Sequence, residues 1–196
     1  MVKDKTSRTP NKKEKVRGDV LKTDFTYILE KEGKDGLKKI NQELKKIDKN
    51  LDYYKIKNTV WVPIDWKIAL MKKAEELFKW QEEDFFNLGY SASRNSFITR
   101  TLLKYFVSLE KTFQECPKYW KKYWDVGKIT PHRLDLEKKY LVIRLEEFKL
   151  HPNLCNYMRG HFKAFAELVL RKEVEIEELK CNFKGDEFHE FKIYWN

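Results

Sequence analysis

The sequence predicts an α/β (α+β) domain in which helices pack on a small antiparallel sheet and a C-terminal helix is followed by a β-hairpin. Three observations predict it: apolar residues recur at helical spacing through the first two thirds, alternating strand-like segments gather in the last third, and a Lys184-Gly185-Asp186 turn divides the final stretch. With 196 residues there is room for one sizeable core. Hydrophobic residues at 41% and aromatics at 15% exclude a disordered chain despite 37% charged residues. No apolar run is long enough to span a bilayer and the N-terminus carries no apolar secretory segment, so a cytoplasmic location is expected.

Residues 1–17 read as a disordered basic arm, with seven basic residues against two acidic ones carrying half of the net charge of +10. Residues 18–196 read as a single domain. Within it, helices are expected over 18–32 and 35–48, broken at Gly33 and Gly36. Residues 58–62 (Asn-Thr-Val-Trp-Val) suit a strand, and Pro63 opens a helix whose stripe runs Ile64, Ile68, Met71, Ala74, Phe78, Phe85 and Leu88, with Gly89 as its stop. A second long helix is expected from Ser93 to Pro117, followed by an aromatic lid over 117–127. A strand over 140–146, a helix over 152–171 and a hairpin over 174–195 complete the order.

The chemistry gathers at the C-terminus. Three cysteines, Cys116, Cys155 and Cys181, make no disulfide framework. Cys181 and His189 lie four residues on either side of Gly185, so an antiparallel hairpin would set them face to face, and thiolate with imidazole is a ligand pair suited to zinc. Cys155 belongs to the helix stripe Cys155, Met158, Phe162, Phe165, Val169, which must face the sheet. Glu178 could complete a tetrahedral set if a bulge near Leu179 turned it to the same face as Cys181. The alternative from spacing alone is a buried helix cysteine beside an unliganded Cys/His pair.

The stretch 152–195, with Cys155, Tyr157 and Gly160 on the helix, the Glu178-x-x-Cys181 pair and the Gly185-Asp186 turn, resembles the 4-vinyl reductase domain family. Its superfamily also holds subunits of the TRAPP tethering complexes and the haem-NO-binding domains. The resemblance covers about a quarter of the chain and implies a structural zinc held by Cys155, Glu178, Cys181 and His189, the last standing where the family usually has cysteine. It also implies an apolar pocket between helices and sheet, for which Phe97, Tyr105, Phe106, Trp120, Tyr123, Trp124, Tyr157 and Phe162 are candidates. The haem-NO-binding signature Tyr-x-Ser-x-Arg is approached by 90-YSASR-94, but Ala92 stands in the serine position, so haem is not expected.

The function expected is that of a zinc-containing sensor that binds a small apolar or aromatic ligand and signals to a separate output partner. The alternative is an assembly subunit resembling TRAPP components, its pocket filled permanently by a lipid tail. No phosphate loop, Ser/His/Asp set or His-Glu-x-x-His motif supports catalysis. Homodimerisation is expected, partly to cover Trp61, Trp66 and Trp80. A weaker expectation is that the basic arm touches nucleic acid or an anionic membrane.

Overall fold

A computed structural model describes residues 14–97, 99 and 108–196. Most of the basic arm, residues 1–13, lies outside them. Its last residues are built into the fold: β1 (Lys15–Arg17) pairs antiparallel with β2 (Trp61–Pro63), and Val16, fully buried opposite Val62, also bridges to Trp124. An apolar residue with β-sheet geometry at that point pulls a charged segment onto the core.

Helix α1 (Gly18–Ile47) runs as one element bent at Gly33, whose backbone (φ 72°, ψ −174°) suits glycine alone. The expected break at Gly36 is absent. The single helix expected over 64–88 is two, α2 (Ile64–Phe78) and α3 (Glu82–Asn95), separated at the left-handed Lys79. The turn lets Trp80 enter the core, where it packs edge-on against Tyr27 and Phe85 and donates its indole N–H to Glu32 at 2.8 Å. A reciprocal capping box between Gln81 and Asp84 then restarts the helix.

Gly89 does not stop a helix; it lies inside α3 for a packing reason. A Cβ there would overlap the Tyr157 carbonyl oxygen, and one at Gly160 would overlap the Phe86 carbonyl oxygen. These two glycines allow the backbones of α3 and α5 (Asn153–Leu170) to touch. The long helix expected from Ser93 to Pro117 is also corrected: Ser93 belongs to α3, and the described helix is α4 (Leu109–Trp120), which continues past Pro117. Residues 98 and 100–107 lie outside the description.

The four-stranded antiparallel sheet has the order β3-β4-β6-β5, with β3 (Lys128–Asp135), β4 (Tyr140–Glu146), β5 (Glu175–Lys180) and β6 (His189–Tyr194). Strand β3 was not expected from the sequence. Its Pro131 cannot donate to a ladder, which is tolerated because β3 is an edge strand whose register shifts between Pro131 and Arg133. The other edge, β5, is studded with glutamates, which discourage pairing with a further chain. Helix α5 crosses from β4 to β5 and packs on β5 and β6. Among the described residues, no helix is long and apolar enough to cross a membrane.

The core holds a fully buried ion pair. Lys67 of α2 donates to Asp24 of α1 at 2.6 Å, both side chains fully buried, and its ammonium lies 3.6 Å from the centroid of the Tyr157 ring. Burial raises the Asp24 pKa and lowers that of Lys67, each partner pulling the other back toward the charged form.

Candidate functional site

Two constellations share α5 and the sheet. The first is a cavity of about 80 Å³ between α4, α5 and the inner face of the sheet. Its walls come from Leu109, Phe113 and Trp120 of α4, from Ile129, Leu141, Ile143 and Ile193 of the strands, and from Phe162, Phe165, Ala166 and Val169 of α5. The α5 residues recur at helical spacing, which is why a single stripe serves both core and cavity.

Polar atoms in this lining are few and nearly all are engaged. The Trp120 indole N–H donates to the carbonyl of Val126, Thr112 donates to the carbonyl of Ser108, and the Tyr123 hydroxyl meets Thr99 at 2.7 Å. Burial pushes the Tyr123 hydroxyl and the Cys116 thiol up to about 12 each, so both stay neutral.

His161 is the exception. Ser93 donates its one hydroxyl proton to the His161 carbonyl oxygen at 2.9 Å, and its oxygen lies 2.6 Å from Nδ1. With that proton on the carbonyl, the consistent tautomer carries its proton on Nδ1 and donates to Ser93, which leaves a lone pair on Nε2. The ring is fixed by stacking on Tyr157 (centroids 6.2 Å, 9° between planes) and Phe165, with Tyr123 edge-on. Burial first, and the Lys67 charge second, push its pKa down to about 4.

The second constellation is a buried cluster. Sγ of Cys155 lies 3.6 Å from Sγ of Cys181 and 3.9 Å from Nδ1 of His189, and that nitrogen lies 3.1 Å from a carboxylate oxygen of Glu178. One ligand atom from each of the four residues falls within 4.8 Å of all the others. The bulge needed to aim Glu178 is present as a register shift between Glu178 and Lys180, and Cys181 sits just beyond the end of β5. Nε2 of His189 is 3.2 Å from the Phe148 carbonyl oxygen, which can only accept. A neutral His189 would then point an unprotonated Nδ1 at a carboxylate, two acceptors face to face. Burial, then the neighbouring Cys181 and Glu178, push the Cys155 thiol above its usual range.

The sequence candidates are only partly brought together. Trp120, Tyr123 and Phe162 line the cavity. Trp124 and Tyr157 are buried behind it, Trp124 stacked on Trp120 at 5.4 Å. Phe97 is 57% exposed, and Tyr105 and Phe106 lie outside the described residues. Cys116, Phe113, Phe165 and His161 line the cavity without having been singled out as pocket residues. Phe165 was visible on the α5 stripe, whereas a lone histidine gives no signal of its own. Tyr90 and Arg94 of the near-signature bind Glu167 instead, the tyrosine at 2.5 Å, and neither lines the cavity.

No family model matches this chain, and no curated protein matches it. Solved structures do. An H-NOX protein from S. oneidensis in the Fe(II)NO ligation state aligns at TM-score 0.66 with 13% identity, covering 92% of this chain and 99% of that one. An unliganded Fe(II) H-NOX variant from K. algicida aligns at 0.63 with 11% identity over 92% and 96% of the two chains. A structure titled for modulating haem redox potential through porphyrin distortion aligns at 0.62 with 12% identity over 91% and 99%. This likeness establishes the fold. It does not show the 4-vinyl reductase family. It also corrects the cofactor: the structures of this fold are described by haem and Fe(II), and the zinc expected from the sequence is withdrawn.

Proposed function

We propose that the chain is a small-molecule-binding domain on an H-NOX-type fold, whose ligand is compact, largely apolar and seated between α4, α5 and the sheet. The observation that carries this is the cavity itself, an apolar space in an interior that otherwise packs to the density of a solid. Phe162 in its wall packs on Phe191 at 5.2 Å, and Phe191 stacks on His189 at 6.1 Å, so a ligand that moves Phe162 is mechanically tied to the C-terminal cluster. A separate output partner would read that movement.

Haem, named for the structural neighbours, does not fit these residues. The cavity is well below the roughly 300 Å³ at which ligand pockets usually begin. No Arg or Lys among the described lining residues meets the two carboxylates that haem carries. The same volume argues against a resident lipid tail. We also propose that Cys155, Glu178, Cys181 and His189 hold a single metal ion, because a cation between Nδ1 and the carboxylate removes the clash of two acceptors. Pairing of two copies keeps less of its basis, since Trp80 is covered within the chain and Trp61 is 37% exposed.

Methyl-resolved NMR with a panel of compact organic molecules tests the reading. Shifts confined to Ile129, Ile143, Ile193 and Val169, with Ile28 and Leu44 unmoved, are expected. Absent or scattered shifts would overturn it. Elemental analysis beside a Cys181→Ser variant tests the metal proposal: an ion present in the wild type and lost in the variant is expected, and a metal-free wild type removes it.

A further inference from the structure

The cavity has a polar end that its volume alone does not reveal. His161 lines it, yet commits its Nδ1 edge to Ser93 on α3, so the opposite edge, with the Nε2 lone pair, is the one it can offer to the void. Nε2 has no partner among the described residues. The other nitrogen and oxygen donors and acceptors in the wall are already paired: Trp120 with Val126, Thr112 with Ser108, Tyr119 with Glu115, and Tyr123 with Thr99 and Ser96. The Cys116 thiol is the remaining polar group and is only a weak donor.

An acceptor without a protein partner in a mostly apolar wall favours a guest that brings a donor. Water is poorly suited, because it needs two to four polar partners and would find one acceptor in an otherwise apolar wall. A compact hydrocarbon bearing one hydroxyl satisfies both demands at once: its O–H donates to Nε2 and its carbon body covers the faces of Phe113, Phe162 and Ile143. The volume limits that body. At about 80 Å³ the cavity is roughly half the ~150 Å³ space that admits benzene, so a skeleton of a few carbons is the right scale.

We infer that this site selects small alcohols over isosteric molecules lacking a hydrogen-bond donor, and that His161 is the specificity-determining residue. The inference rests on the ligand-binding reading above and names the chemical class of its ligand. Fixed tautomer, fixed ring plane and neutrality are what such a role requires. Ser93 supplies the first, and Tyr157 and Phe165 the second. The depressed pKa secures the third throughout the physiological range.

The test compares 2-propanol with acetone, which shares its carbon–oxygen skeleton but, as the ketone, has no hydroxyl donor. Affinities are read from methyl NMR titrations of the full chain, and the side-chain nitrogen resonances of His161 are followed in parallel. The wild type should bind 2-propanol at least about fivefold more tightly than acetone, and the Nε2 resonance should move on binding. His161→Phe, which keeps an aromatic ring on Tyr157, should bind both equally. A Ser93→Ala variant, freeing the ring, should reduce the preference while retaining binding. Equal affinities in the wild type would overturn the selectivity and leave the cavity reading intact. Failure of both probes to shift the cavity methyls would overturn the two together. A preference for 2-propanol that survives in His161→Phe would assign the donor's partner elsewhere and overturn the role of His161.

Discussion

At the scale of single residues, His161 has the most measurable consequence. Its folded pKa of about 4 lies below its ordinary 6.5, so in that interval the unfolded chain binds a proton that the folded chain refuses. Stability from this group therefore rises with pH across the window and is lost as pH falls from 6.5 toward 4. The loss should reach about 3 kcal/mol at the acid end, at ~1.4 kcal/mol per unit. Urea denaturation of wild type and His161→Phe at pH 7 and pH 4.5 checks it: the wild type should lose more stability than the variant between the two. The cluster residues were legible from the sequence because two of them are symmetric about Gly185 and one lies on a clear stripe. His161 was not, because a single histidine among apolar neighbours carries no spacing, and its partner Ser93 is 68 residues away.

Between elements, the α3–α5 contact depends on two hydrogen atoms where other residues carry Cβ. Gly160→Ala should destabilise the protein by about 1–3 kcal/mol, since its new methyl meets rigid backbone at Phe86 and not a movable side chain. Chemical denaturation checks this, and an unchanged midpoint would mean that the helices can separate freely. The Lys67–Asp24 pair makes a second prediction. Lys67→Met alone should cost about 3–5 kcal/mol by leaving Asp24 buried without its partner, and adding Asp24→Leu should restore most of it. Helix α5 and strand β4 could be read from sequence because their patterns run uninterrupted. The break between α2 and α3 could not, because the apolar stripe continues across Lys79 to Phe85 and Leu88. Strand β3 was hidden by Pro131, whose meaning reverses once the strand is known to be an edge.

Across the whole molecule, a fold shared with H-NOX proteins at 13% identity encloses an apolar cavity among its described residues. Topology and sheet order are set by where apolar residues fall, and many sequences meet that demand. The cofactor depends on a handful of residues, and here the described wall is uncharged and encloses about 80 Å³. Hemin added to the purified protein should therefore give no specific Soret-shifted complex, and a stoichiometric one would show that the cavity opens far beyond its present volume. The account's central claim is that the space between α4, α5 and the sheet admits a compact apolar guest. A crystal pressurised with xenon tests this most directly. The account predicts xenon density bounded by Phe113, Ile143, Phe162 and Ala166, lost in Ala166→Phe. An empty, solid-packed wall at that place would contradict it.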